Sequence, residues 1–268
     1  MAAQEPQSQP SITVFRGWDD PGKLVWSPYV IKLEARLRFA GLSYTTEADS
    51  TRQSPKGKIP YIDYEPASVQ GTASSAEATG VEKQRLSDST LIIKALTERD
   101  VLPDLNAALT PAECTHDLAL RALLEEKLYF YHSIPFWPMR YLIGLLIHRS
   151  TTATLHGQGT GRYSPDEIAA LRREIWDGVG DLLVASRCRS RSSGGAAKIN
   201  EKEEEEPFWV LGGAAPTEAD ACLFGFIVSV LICAAGPDSQ DVVRSVPVLL
   251  DYASRIHDRY FPDYEKWT

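Results

Sequence analysis

The sequence predicts an α+β domain followed by an all-α domain. Three observations carry this prediction. Strand-like and helix-like stretches alternate through residues 11–101, whereas from Pro111 onward no strand pattern is strong and the apolar spacing is helical. Two Ser-Pro pairs, Ser27-Pro28 and Ser164-Pro165, each open a helical pattern. The serine hydroxyl can cap a free backbone N–H, and proline at the first helical position lacks the N–H that would otherwise be orphaned there.

Residues 11–16 read as a first strand, followed by a loop of turn formers, Asp19-Asp20-Pro21-Gly22. A helix over 27–40 places Val30, Leu33, Leu37 and Ala40 at helical spacing and stops at Gly41. Residues 42–46 alternate as a second strand. The resulting βαβ unit requires the two strands to be parallel. After the basic loop Ser54-Pro55-Lys56-Gly57-Lys58, a strand over 59–64 carries Pro60 at its mouth, where a missing N–H is tolerated and a cis bond is an option. Residues 65–84 are small, polar and low in complexity, and read as an inserted mobile loop. Arg85-Leu86 would pair back onto 59–64, and Ser87-Asp88-Ser89-Thr90 would cap a helix bearing Leu91, Ile92, Ala95 and Leu96. This β-α-β, then β-β-α order is thioredoxin-like.

The second domain, 110–268, begins with a helical region from Pro111 to Arg149, kinked by Pro135 and Pro138. A helix follows Ser164, and residues 189–206, with their Ser-Ser-Gly-Gly and Glu run, read as a flexible linker. Thr217-x-x-Asp220 has the form of a capping box before an apolar helix over 221–235, and Val242–Tyr260 reads as one last amphipathic helix.

Composition narrows the function. With 28 Lys+Arg against 36 Asp+Glu the chain is acidic, which argues against nucleic acid as a partner. The four cysteines show no CxxC or zinc spacing and the five histidines no HExxH, so no metal is expected and free thiols in a reducing, cytoplasmic setting are the default. The apolar run 221–235 falls short of the ~20 residues a bilayer span takes. Residues 1–10 read as a disordered tail with no signal peptide.

One place stands out chemically. A helix that starts at Ser27 just after a strand offers free N–H donors and a positive dipole end, suited to holding an anion or lowering a thiol pKa. Three segments here resemble the glutathione transferase superfamily, and within it the metaxin-like, failed axon connections-like branch: Ser27-Pro28-Tyr29-Val30-Ile31-Lys32-Leu33-Glu34, Ser54 through Ile62, and Leu86 through Ile93. Thr217-x-x-Asp220 is similar to the capping box of that family's helical domain.

The resemblance implies the glutathione transferase fold and glutathione as co-substrate, conjugated to a small hydrophobic electrophile in a detoxifying reaction. It implies that Ile59 and Pro60 meet the cysteinyl part of glutathione and that Asp88 and Ser89 hold its γ-glutamyl end. Lys58, or Lys56, would meet its glycyl carboxylate. Ser27 takes the catalytic position, with Tyr29 as its rival, and Trp26, Tyr29, Tyr131, Trp137 and Arg140 would line the electrophile pocket. It also allows a homodimer. Each residue has a plainer reading as well: Ser27, Asp88 and Ser89 as helix caps, Pro60 as a strand former, the lysines as solvated charges and the aromatics as core. A non-catalytic metaxin-like binding or adaptor protein is the alternative function.

Overall fold

Four strands form one mixed sheet in the order β2-β1-β3-β4. They are β1 (Ser11–Phe15), β2 (Thr45–Glu47), β3 (Tyr61–Glu65) and β4 (Gln84–Ser87). β1 and β2 are parallel, as the βαβ unit requires, and β3 is antiparallel to both β1 and β4. The structure, a computed structural model, describes residues 10–66, 83–132, 157, 159–193, 206–234 and 236–267. The expected disordered tail, most of the inserted loop and most of the linker lie outside the described residues.

α1 (Pro28–Phe39) and α2 (Ser89–Thr97) complete the first unit. Leu33 and Leu37 of α1 pack with Ile92, Ile93 and Leu96 of α2 against Ile12, Val14 and Ile62 of the sheet. The helical part comprises α3 (Pro111–Ala122), a π-helical segment Leu123–Leu128, α4 (Tyr129–His132), α5 (Pro165–Ser193), α6 (Glu218–Ile232), α7 (Pro237–Arg244) and α8 (Pro247–Tyr260), with a short 3-10 turn at Thr160–Arg162. The fold class read from the sequence is the one observed: a thioredoxin-like α+β unit followed by a helical one.

α1 joins the two cores. Its Ile31 and Ala35 belong to the helical core, around Trp176, Phe224 and Tyr252, while Leu33 and Leu37 serve the sheet. The crossing with α6 is close because Gly225 has no side chain. A Cβ there would lie 2.6 Å from the Pro28 carbonyl oxygen and 3.0 Å from the Lys32 nitrogen. At the start of α6 the capping box forms. Asp220 accepts from the Thr217 N–H and hydroxyl, each at 2.8 Å, and from the Val210 N–H and Tyr252 hydroxyl, each at 2.7 Å.

Several boundaries differ from the sequence reading: β3 spans Tyr61–Glu65 rather than 59–64, and α6 spans Glu218–Ile232 rather than 221–235. β2 starts at Thr45 rather than 42. α5 continues to Ser193, into the stretch read as linker. The single helix expected over 242–260 is two, because Pro247 starts a new helix after the break at Ser245 and Val246.

Candidate functional site

The register brings Pro60 and Asp88 together at one end of the sheet. Phe15, Tyr61 and Ser87 are paired across β1, β3 and β4 and form the row at one end of the sheet. The next residues outward are Pro60, whose bond to Ile59 is cis, and Asp88, whose N–H donates to the Pro60 carbonyl at 3.3 Å. Beyond Phe15 the chain runs through a loop to Ser27 and α1. The loop carrying Lys56 and Lys58 is tied to the same row, since the Ser54 and Ser87 hydroxyls lie 3.0 Å apart.

Ser27 is the N-cap residue of α1 with extended backbone (φ −78°, ψ 115°). Its carbonyl accepts from the N–H groups of Val30 and Ile31, but its hydroxyl makes no capping hydrogen bond. The expected cap is therefore absent at the side chain. Pro28 supplies the preset φ instead, and without an N–H of its own it leaves fewer donors to satisfy. Tyr29 points elsewhere. Its hydroxyl donates to the Glu125 carbonyl at 3.4 Å and its ring meets Tyr129 and Phe226 edge-on. Burial holds its phenol well above the usual range. Trp26 is half exposed and packs edge-to-face on Trp18 at 4.7 Å.

At α2, the Asp88 carboxylate accepts from the Thr90 and Leu91 N–H groups at 3.1 and 3.2 Å, so its capping role is real. Asp88 is exposed and its φ is +78°, in the left-handed region that a non-glycine residue seldom enters. Ser89 and Pro60 are buried, Ile59 is partly so, and Lys58 is exposed. Tyr131 is buried in the helical part, where its phenol is raised by burial and by nearby Tyr163 and Glu174, while Tyr129 is the residue that meets Tyr29. Trp137 and Arg140 lie outside the described residues.

The sequence reading missed a buried polar cluster behind these helix starts. Lys32 Nζ donates to Thr90 Oγ1 at 2.8 Å and to Glu125 Oε1 at 2.5 Å, and Cys222 Sγ lies 3.4 Å from the same carboxylate oxygen. Burial pushes the Cys222 thiol up, so it is the neutral donor. The π-helical segment carries Glu125 to this point; such wide turns recur at functional sites. A signal was present: α1 carries Lys32, Glu34 and Arg36 in five residues, on a helix that must bury two faces. Each has an opposite charge nearby, Glu125 for Lys32, Arg16 for Glu34 and Glu218 for Arg36. Among the described residues no cluster of His, Cys, Asp and Glu could hold a metal, and no helix is long and apolar enough to cross a membrane.

Comparison with known proteins agrees with this architecture. Residues 28–142, beginning directly after Ser27, match the family model of the glutathione S-transferase N-terminal domain. Failed axon connections of Drosophila melanogaster is 24% identical over 274 residues, covering 90% of this chain and 56% of the relative. The chain thus spans about half the length of that relative. A glutathione S-transferase of Methylobacterium radiotolerans, solved with glutathione sulfonate, is 14% identical with a TM-score of 0.56, covering 96% of each chain. A glutathione transferase of Phanerochaete chrysosporium is 18% identical with a TM-score of 0.53, covering 97% of this chain and 98% of the other. The two solved structures establish the fold alone, and the match over residues 28–142 together with the similarity to the relative supports the glutathione transferase superfamily for this chain.

Proposed function

We propose that this chain is a glutathione transferase that binds glutathione between Pro60 and the start of α2 and activates its thiol at Ser27. The observation that carries the reading is the Ser27 hydroxyl, which heads α1 without serving as its cap. A hydroxyl donated to a sulfur at a helix N-terminus favours the thiolate. A free thiol has a pKa of about 8.5, and lowering it by ~2 units leaves most of it ionised at neutral pH. The thiolate then forms a bond to an electrophilic carbon, the leaving group departs with its electron pair, and the thiol proton passes to solvent.

The other roles follow the chemistry of the ligand. The γ-glutamyl end carries an ammonium and a carboxylate. Asp88 suits the first, and Ser89 with the N-terminus of α2 suits the second. The backbone at Ile59 and Pro60 offers groups to the cysteinyl unit, and exposed Lys58 reaches for the glycyl carboxylate. Backbone outliers such as Asp88 gather at ligand clamps, which supports this assignment. Trp26 with Trp18 forms the aromatic wall for a small hydrophobic electrophile, and Tyr29, its hydroxyl already engaged, is a wall residue and not the activator. A detoxifying role in the cytoplasm goes with this reading.

A non-catalytic binding or adaptor protein is the second reading, supported by the likeness to Failed axon connections along most of this chain. Calorimetry with glutathione, followed by an aryl halide assay, separates the two. Binding with turnover supports the enzyme, and binding without turnover the second reading. Asp88→Ala is expected to weaken glutathione binding by ~1–3 kcal/mol. No heat of binding to the unmodified protein would sink the glutathione site.

A further inference from the structure

We infer that the segment Phe261–Trp267, which follows α8, is a strap that positions the loop Gly17–Trp26 beside Ser27, with Tyr264 as its positioning residue. The geometry stands by itself; the consequence for ligand binding rests on the function proposed above.

The loop has little internal structure, the turn from the Lys23 N–H to the Asp20 carbonyl at 3.3 Å being one of its few bonds. Its ends are fixed by the body of the protein. Gly17, at φ +84°, lies so close to Ile59 that a Cβ would come within 2.7 Å of Ile59 Cδ1. The Trp26 carbonyl accepts from the Ser229 hydroxyl of α6. The strap fixes the middle. The Glu265 N–H donates to the Gly22 carbonyl at 2.8 Å, and Lys23 and Glu265 form a parallel bridge with their side chains 3.0 Å apart. That ion pair is largely exposed and contributes little by itself.

The stronger tie is underneath. Arg16, buried, donates to the carbonyls of Asp20 and Lys23 and so holds the loop from below, and its guanidinium lies 5.6 Å from the centre of the Tyr264 ring. Arg38 holds the strap. It grips the Asp263 carboxylate with two donors at 2.5 and 2.9 Å, donates to the Tyr260 carbonyl at 2.8 Å, and sits 4.4 Å from the ring centres of both Phe261 and Tyr264. The Tyr264 ring is thus shared by the cation that orders the loop and the cation that orders the strap. Cation–ring contacts of this kind strengthen as water is excluded. Removing the ring frees the middle of the loop that carries Trp18 and leads through Trp26 into Ser27.

The test uses the full chain labelled with 5-fluorotryptophan, whose six tryptophans are assigned by single Trp→Phe changes. Trp267 reports on the strap, Trp18 and Trp26 on the loop, and fully buried Trp176 on the helical core. Tyr264→Ala should shift or broaden the fluorine lines of Trp267, Trp18 and Trp26 and leave Trp176 in place. Tyr264→Phe keeps the ring and should keep the wild-type loop lines. A moved Trp267 line with unmoved Trp18 and Trp26 lines overturns the inference. If the Trp176 line shows that Tyr264→Ala loses the core, Asp263→Asn, at an exposed carboxylate, is read by the same criterion. In an aryl halide assay Tyr264→Ala should raise the Michaelis constant for the electrophile about tenfold, because the loop carries the aromatic wall proposed for it and small misplacements are costly, and Tyr264→Phe should restore it. A wild-type protein that fails to bind glutathione would overturn the proposed function while leaving the fluorine result to decide the strap.

Discussion

At the scale of single residues, the site turns on what Ser27 does with its hydroxyl. A serine before proline at a helix start reads from sequence as a cap, and losing such a cap costs typically ~1 kcal/mol. The structure separates position from role, because Ser27 occupies the N-cap while its side chain makes no capping bond. Ser27→Ala should therefore cost less stability than the ~1 kcal/mol typical of a lost cap. The same variant should lower turnover with an aryl halide more than it changes the Michaelis constant for glutathione, since the hydroxyl matters most when the sulfur is charged. The thiolate absorbance of bound glutathione should also titrate at higher pH. A stable variant with full turnover and an unmoved titration would remove Ser27 from the chemistry. Position was legible here and hydrogen bonding was not, because the Ser-Pro pattern fixes where the helix begins but not which way the hydroxyl turns. Tyr29 teaches the same lesson: two residues from Ser27, it commits its hydroxyl to Glu125, a partner 96 residues away.

At the scale of elements, the sequence showed helices and strands through local signals and missed what depends on partners. The βαβ unit, the proline-led strand, the start of α2 and the capping box at Thr217 and Asp220 all have local chemistry that announces them. The Lys32–Glu125–Cys222 cluster, by contrast, joins α1 to the π-helical segment and to α6 across the fold. The charges crowded on α1 hint that some are buried, but no local pattern names the partners of Lys32. Glycines in helices show the same dependence on context. Gly178 of α5 is exposed, with nothing within 4 Å of an added Cβ, whereas Gly225 of α6 lies against the backbone of α1. Gly178→Ala should stabilise the protein by up to ~1 kcal/mol, the helix preference of alanine over glycine. Gly225→Ala gains the same preference, but forcing extra volume into a packed interface typically costs ~1–3 kcal/mol, so a net loss is expected. Thermal melts of the two variants check this directly, and stabilisation by Gly225→Ala would mean that α1 and α6 do not cross as closely as described.

At the scale of the whole molecule, buried charge between the sheet unit and the helical unit makes stability depend on pH. Glu34 of α1 is almost wholly enclosed, with the hydroxyls of Tyr44 and Tyr264 facing it. Arg16 Nε lies 2.9 Å from its Oε1, near enough for an ion pair yet poorly aligned for a hydrogen bond. Burial raises its carboxyl to about 7, against the pull of Arg16 and Arg38. The folded protein therefore keeps a proton on Glu34 between pH 4.5 and 7, where the unfolded chain has released it. Stability must fall as pH rises through that window and level off above it. Asp220, raised by burial to about 6, acts in the same direction. Other groups oppose them. The Arg85 hydrogen bond holds Asp63 down and the Arg38 hydrogen bond holds Asp263 down, so their contributions are lost only as pH falls below the usual carboxylate range. Burial lowers His257, so its contribution is complete above pH 6.5 and is lost as pH falls toward its depressed value. The total curve is a sum, and only a difference isolates Glu34. Glu34→Gln matches the protonated carboxyl in charge and shape. It should equal the wild type near pH 4.5, gain on it as pH rises, and exceed it by up to ~3 kcal/mol at pH 8, which is the upward shift converted at 1.36 kcal/mol per unit. Urea melts of both proteins from pH 4.5 to 8 measure the difference. Parallel curves would mean that Glu34 is charged throughout, and that Arg16 compensates its burial in full.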